Sequence, residues 1–330
     1  MSSIESPPDE AALRGAQRTL SKVAVRTPLV ESPAINERFG MRVLLKLECQ
    51  QRTGAFKFRG AYCKVASLTE AQRRSGVVAT SSGNHAQALA AAGKLLGSPV
   101  TLAMPKDAPS FKVERVRAHG ATIVHYDRYR DDEREVGPAL ARERHAVMVH
   151  PFDDPQIIAG QGTVGLELFE QAANLGAAVD AVLVPCGGGG LTAGMALAAR
   201  YASPQVRVCA VEPQYYDDTA RSLEAGRILA NDMGAVHPTL CDALMVAQPG
   251  RLTFDINRQL VAESFVVSDE AVREALALLC AELRLIVEPA GAIGVAALLA
   301  GNRPAGAGCI AVVVSGGNVA LEALDALIKS

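Results

Sequence analysis

The chain has 330 residues, a formal net charge of −2 and 49% hydrophobic residues. That length suffices for two lobes or one large α/β unit with a substantial core, and the balanced charge gives no footing to nucleic acid or an anionic membrane surface. No apolar run approaches the roughly 18 residues that span a bilayer.

The first residues, MSSIESPPDEAALR, have neither a basic n-region nor an apolar h-region, so no secretion signal is expected. Cys49, Cys63, Cys186, Cys209, Cys241, Cys280 and Cys309 are odd in number and form no CxxC pair. They point to a reducing cytoplasm, without a disulfide framework or zinc site. A soluble cytoplasmic protein is expected, with no membrane partner.

Along the chain, strand signals fall at VLLKLE (43–48), GVVATS (76–81), VTLAMP (100–105), ATIVHY (121–126), AVMVH (146–150), AVLVP (181–185), VRVCAVE (206–212) and CIAVVVS (309–315). Between them lie alanine-rich segments with helical spacing, such as HAQALAAAGKLLG and EAVREALALLCAEL. Continuous apolar runs, rather than strict alternation, suit parallel strands buried on both faces. The charged stretch DRYRDDERE (127–135) reads as a solvated turn leading into a helix. No repeat or Pro/Ser-rich linker interrupts the pattern. The fold class is α/β, with doubly wound sheets.

Ligands of such sheets sit beyond the carboxyl ends of the strands. Three glycine-rich turns fall there: SSGNHAQ, PCGGGGLTAG and SGGN. Four consecutive glycines give up much backbone freedom on ordering. Their amides, with the following helix N-terminus, make a nest suited to phosphate. A Walker A loop is absent. A dinucleotide site stays open on these features, because Gly188, Gly190 and Ala193 fit GxGxxA and Glu212 stands where a ribose-binding acid would.

The stretch TGAFKFRGA (53–61) decides between them. The chain has eight lysines, and Lys57 lies between Phe56 and Phe58. Alone, FKF reads as a lysine snorkelling at a helix start. Apolar surroundings penalise its charged form and leave a nucleophilic amine, as a Schiff-base lysine requires. An aldehyde cofactor with a phosphate tail explains both the lysine and the phosphate nest. That cofactor is pyridoxal phosphate.

TGAFKFRGA, ATSSGNHAQALA, HPFDDPQIIAGQGTVGLEL, VPCGGGGLTAG, EPAGA and VSGGN, in this order, resemble the fold-type-II pyridoxal-phosphate enzymes of the serine/threonine dehydratase group, in its serine racemase and 3-hydroxyaspartate dehydratase branch. The similarity runs from Arg26 to Asn318. It implies two doubly wound α/β domains of the tryptophan synthase β-like kind with the cofactor between them. Residues 1–76 and 153–330 would form the large domain, and 77–152 a small mobile one. Lys57 would hold the cofactor and take the α-proton. Phe56 would lie against the ring, Asn84 would bond the phenolic oxygen, and Gly187, Gly188, Gly189, Gly190 and Leu191 would cradle the phosphate. Ser315 would face the pyridine nitrogen. Ser81, Asn84 and His85 would receive the substrate carboxylate, with Arg134 near a second one. Glu288 would help to hold the site together.

The resemblance further implies that Ser82, where threonine dehydratases of the group commonly carry alanine, is an acid/base on the face opposite the lysine. Glu212, Asp218 and the Tyr216 carbonyl, in VEPQYYDD, would bind Mg²⁺ (or Ca²⁺ or Mn²⁺), as hard oxygen ligands do. Ala243 and Val246 depart from the branch's glycine and from the racemases' serine. A homodimer is expected, and feedback control by a further regulatory domain is not. The implied reaction is ammonia loss from L-threonine, L-serine or L-threo-3-hydroxyaspartate. Serine racemisation, β-replacement of the cysteine-synthase type, a nicotinamide-dependent oxidoreductase and a non-catalytic pyridoxal-phosphate-binding protein are the alternatives.

Overall fold

Ten strands are found among the described residues, and burial on both faces shapes the inner six of them. The computed structural model describes residues 6–108, 110–127, 130–234 and 237–329. Its strands are β1 (Leu29–Glu31), β2 (Arg42–Leu47), β3 (Val77–Thr80), β4 (Val100–Pro105), β5 (Thr122–Tyr126), β6 (Val147–Met148), β7 (Ala181–Pro185), β8 (Arg207–Pro213), β9 (Val261–Val267) and β10 (Cys309–Val314). One sheet runs β1-β2-β10-β7-β8-β9 and the other β5-β4-β3-β6. All pairings are parallel except β1 with β2.

In the larger sheet Val182 and Val184 face one apolar cluster, with Ile158 and Leu197. Ala181 and Leu183 face the other, with Leu279 and Ile293. Each such Val or Leu contributes about 1.5–3 kcal/mol by leaving water. That exceeds the spread of about 1 kcal/mol in strand propensity, so burial sets the register. In the smaller sheet Leu102 and Met104 pack with Leu89, while Val78 and Ala103 meet Leu140 and Ala141. Among the described residues no helix is long and apolar enough to cross a membrane.

Three helices position the cleft: Lys57–Ser67, Pro155–Asn174 and Gly190–Ala202. They approach through glycine. A Cβ on Gly160 would lie 2.6 Å from the Gly60 Cα, and one on Gly194 would lie 2.5 Å from the Gly162 nitrogen. No side chain fits between them, so backbone contact fixes Lys57 relative to the tetraglycine turn.

A buried ionic cluster anchors the same helix. The Arg59 guanidinium donates to both oxygens of Glu48 and both of Glu167, four contacts each of 2.8 Å. Lys46 Nζ donates to Glu167 at 2.9 Å, and to Thr27 O and Gln171 Oε1 at 2.8 Å. Two cations against two carboxylates leave the cluster neutral. Burial alone would raise Glu167, but Arg59 and Lys46 outweigh it and hold that carboxyl below its ordinary value.

Candidate active site

Lys57 opens the helix Lys57–Ser67, and its preceding turn is stitched to the end of β10. Phe56 N donates to Ser315 O at 3.1 Å, and Ala55 bridges Gly316. The Lys57 amine sits 5.2 Å from the Phe56 ring centroid and donates to Pro151 O at 2.9 Å. Burial pulls it down to about 8. Ser315 is buried, and its Oγ donates to Ala290 O at 3.5 Å.

The tetraglycine turn joins β7 to the helix Gly190–Ala202. Its carbonyls are tied back: Gly188 O accepts from Thr253 Oγ1 at 2.7 Å, and Gly189 O from Asn257 Nδ2 at 3.4 Å. Cys186 N donates to Val211 O and Ala193 N to Gly189 O, whereas the amides from Gly187 to Thr192 donate to no described main-chain acceptor outside that helix. Carbonyls turned inward leave a run of free amides at a helix N-terminus, the arrangement that receives phosphate. The protein itself also demands these glycines. A Cβ on Gly188 would meet the Phe152 ring at 2.3 Å, one on Gly190 would meet Phe152 Cβ at 2.9 Å, and Gly189 has φ +88°.

SSGNH runs from the end of β3 into the helix Asn84–Leu96. Ser81 Oγ accepts from Gly83 N at 3.3 Å, and Ser82 is the half-buried hydroxyl beside it. Asn84 donates to Glu288 Oε1 at 2.6 Å and accepts from Asn318 Nδ2 at 2.8 Å, which leaves one amide hydrogen to offer. Burial pushes Glu288 up to about 7, against the pull of Asn84. His85 is driven down to about 3 by burial, then by Lys57 and His150. Neither of its ring nitrogens has a hydrogen-bond partner of ordinary geometry among the described residues, although the Val149 main chain pulls weakly the other way. Unspent amides, an orphaned buried imidazole and a low-lying amine on one cleft fit a phosphate-bearing aldehyde and a carboxylate substrate.

Ser315 is thus tied to Phe56, next to Lys57, and Asn84 reaches the same turn through Asn318, whose Nδ2 also donates to Thr53 O at 2.7 Å. Arg134 lies in the helix Glu133–Glu143, but its side chain is outside the described residues. Sequence reasoning gave no role to His150, Pro151, Phe152 or Asn318, although HPFDDP and SGGN contain them.

Glu212, Tyr216 and Asp218 form a separate group. Glu212 Oε1 accepts from Thr219 N at 2.8 Å, and Oε2 from Ala220 N at 2.7 Å and Ser264 Oγ at 3.3 Å. Asp218 Oδ1 accepts from Asn231 at 2.7 Å, while its buried Oδ2 has no partner among the described residues. Burial, then the charge of Asp218, pushes Glu212 up to about 8; burial likewise raises Asp218 to about 7. Tyr216 is fixed by its Oη, donating to His237 O at 3.1 Å. Among the described residues no three His, Cys, Asp or Glu side chains gather as a metal site. A cation here would therefore need main-chain or water oxygens besides the two carboxylates.

Comparison with known proteins shows the family and the fold. The family described as pyridoxal-phosphate dependent enzyme matches residues 20–316. L-threonine ammonia-lyase of Thermotoga maritima is 40% identical over 96% of this chain and 77% of that protein. L-threo-3-hydroxyaspartate ammonia-lyase of a Pseudomonas species is 39% identical over 96% of this chain and 97% of that one. The structure of maize serine racemase superposes with a TM-score of 0.91 at 38% identity, covering 98% of this chain and 97% of the other.

Proposed function

Because the chain belongs to the family of pyridoxal-phosphate dependent enzymes, we propose that it is an ammonia-lyase that converts a β-hydroxy amino acid to a 2-oxo acid and ammonia. L-threonine, L-serine and L-threo-3-hydroxyaspartate are the substrates to try. The cofactor supplies an aldehyde that links to amines and a ring that draws electrons from the α-carbon. The amides of Gly187 to Leu191 would hold its phosphate, Phe56 would lie against the ring, and Asn84 would hold the phenolic oxygen. Lys57 would anchor it between turnovers and, once released, would take the α-proton. Ser81, Asn84 and His85, with the helix amides, receive the substrate carboxylate, and Arg134 a second one. The β-hydroxyl would then leave as water, taking a proton from the cofactor phosphate or a nearby acid, and the released enamine product would take up water to give the 2-oxo acid and ammonia.

The observation that carries elimination is Ser315. It stands at the end of β10 with a carbonyl as its partner, and Glu288 is engaged by Asn84 instead. A hydroxyl leaves a pyridine nitrogen largely unprotonated, which weakens the electron sink and favours prompt loss of a β-leaving group. Racemisation is the second reading, favoured by the Ser82 hydroxyl beside Ser81.

The test is 2-oxo acid release from each substrate by the purified enzyme, with D-serine measured alongside. Release from at least one is expected; release from none, with cofactor bound, sinks the lyase. Ser82→Ala is expected to spare release from L-serine and remove D-serine formation. Equal loss of both would make Ser82 structural.

The proposal extends to a divalent cation, Mg²⁺, Ca²⁺ or Mn²⁺, on Glu212, Asp218 and the Tyr216 carbonyl. The buried, unpartnered Asp218 Oδ2 supports it. A cation at a hundred times its Kd stabilises by about 2.7 kcal/mol. Millimolar Mg²⁺ is therefore expected to raise the Tm of the parent and leave that of Asp218→Asn unchanged. An equal rise in both proteins counts against the site. A homodimer in the cytoplasm, with residues 77–152 moving as a unit over the substrate, completes the reading.

A further inference from the structure

The segment from His150 to Asp154 ties several parts of the cleft together. Pro151 O accepts the Lys57 amine at 2.9 Å. Phe152 fills the space that glycine leaves at 188 and 190. Asp153 accepts from Arg251 N at 3.0 Å and Thr253 N at 3.1 Å. Asp154 caps the helix Pro155–Asn174 and pairs with Lys64 at 2.5 Å.

One bend lets a single short segment reach all of these, and His150 makes it. Its Nδ1 accepts from Asp153 N at 2.9 Å and, more weakly, from Phe152 N at 3.4 Å. Asparagine and aspartate close turns in this way, on the amides two and three residues ahead; here an imidazole does it. A ring accepting at Nδ1 is neutral and carries its proton on Nε2. The ring is braced edge-on by Phe152, with centroids 4.5 Å apart.

We propose that His150 is a positioning residue for Lys57: it folds residues 150–153 so that the Pro151 carbonyl receives the released lysine amine and holds it where it takes the α-proton. A carbonyl suits this task. It restrains the nitrogen through one hydrogen bond and does not compete for the incoming proton. The groups facing Lys57 agree. His85, from the helix Asn84–Leu96, and His150 both feel the charge of Lys57, while Asp153 and Asp154 act on His150. Both imidazoles are held below their ordinary value, chiefly by burial, so neither places a cation beside the amine.

The inference rests on Lys57 being the cofactor lysine, and the test reads that separately. Asparagine places its oxygen where histidine has Nδ1; the glutamine amide nitrogen falls where histidine has Nε2. His150→Asn therefore keeps the turn, and His150→Gln keeps only the outer edge of the ring. Full-length protein stripped of cofactor is mixed with pyridoxal phosphate, and growth of the visible band is timed. Borohydride reduction and peptide mass then locate the label, and kcat and KM are measured on the holoenzymes.

The label is expected on Lys57 in all three proteins, at equal final loading. His150→Gln is expected to capture cofactor and turn over about tenfold more slowly at unchanged KM, within the range that small misplacements of a catalytic group produce. His150→Asn recovers most of both rates. The proposal is overturned if glutamine recovers the rates and asparagine does not, if both variants slow equally, or if neither slows. If the glutamine variant fails to fold, a fully loaded but slow His150→Asn protein still overturns it. A label elsewhere in the parent would instead remove the reading of Lys57.

Discussion

Lys57→Ala is expected to lower turnover by a factor on the order of 10⁴ or more, the scale of losing a group that both bonds covalently and moves the proton. The visible absorbance of lysine-bound cofactor should disappear with it. The fold should not. Among the described residues the side chain's one hydrogen bond is to Pro151 O, and its amine lies over the Phe56 ring. A Tm within a few degrees of the parent would separate lost chemistry from lost structure. Lys57→Arg is expected to fail equally, because it keeps the charge and lacks the amine.

The parent carries a pH signature of the same residue. An amine reacts in its neutral form, which predominates above its pKa. With Lys57 pulled down to about 8, cofactor capture should rise with pH and level off above about 8; an ordinary lysine would keep gaining to about 10.4. His85 stays neutral through that window. Turnover within tenfold of the parent in Lys57→Ala, or a capture rate still climbing steeply above pH 9.5, would falsify this assignment.

Much of this was legible in the sequence, for reasons that show where legibility ends. The eight strands read from apolar runs lie within about two residues of β2 to β8 and β10; six of these are buried on both faces, which needs continuous Val, Ile, Leu and Ala. The two strands missed, β1 and β9, are the edges of the larger sheet. β1 has three residues and pairs antiparallel. β9 follows the helix Arg251–Leu260 with no turn between, and its exposed Ala262 and Glu263 break the apolar run.

The site divides in the same way. Asn84, the tetraglycine and Ser315 drew notice because they stand at or just after strand ends, where the fold puts ligands, and Lys57 because it lies between Phe56 and Phe58. Pro151 O, the Phe152 ring against Gly188 and the Thr253 hydroxyl on Gly188 O were not. Those contacts join distant segments, and two of them use a main-chain carbonyl, whose direction no residue type announces. The tetraglycine shows the difference. Its sequence points to a ligand; its packing adds that Phe152 would exclude a side chain at two of the four positions.

The second large effect lies beneath Lys57, in the Arg59 cluster. Arg59→Leu is expected to destabilise the protein by about 3–5 kcal/mol, the usual result of removing one member of a buried ionic group. The reason is charge without solvent. Glu48 and Glu167 would remain with Lys46 as their only partner cation among the contacts described here, in a site where Arg59 and Lys46 side chains are 0% exposed. Thermal unfolding should show a fall in Tm of roughly 5–10 °C.

The pH dependence follows from Glu167, whose carboxyl is held below its ordinary value in the folded protein. Its contribution is present above the unfolded carboxylate pKa and is lost as pH falls through the depressed folded value. Losing Arg59 removes the largest part of that depression, so the parent's advantage over Arg59→Leu should shrink as acid protonates the stranded carboxylate.

Adding Glu167→Gln to Arg59→Leu discriminates further. The pair Lys46 and Glu48 would again be neutral overall, so the double variant should be more stable than Arg59→Leu alone. A single variant costing under 1 kcal/mol, the scale of an exposed ion pair, would mean that water reaches the cluster. Additive losses in the double variant would mean that the two side chains act by packing alone. Recovery would show that four buried charges are retained as a neutral unit, locking the helix of Lys57 to β2 and to the helix Pro155–Asn174.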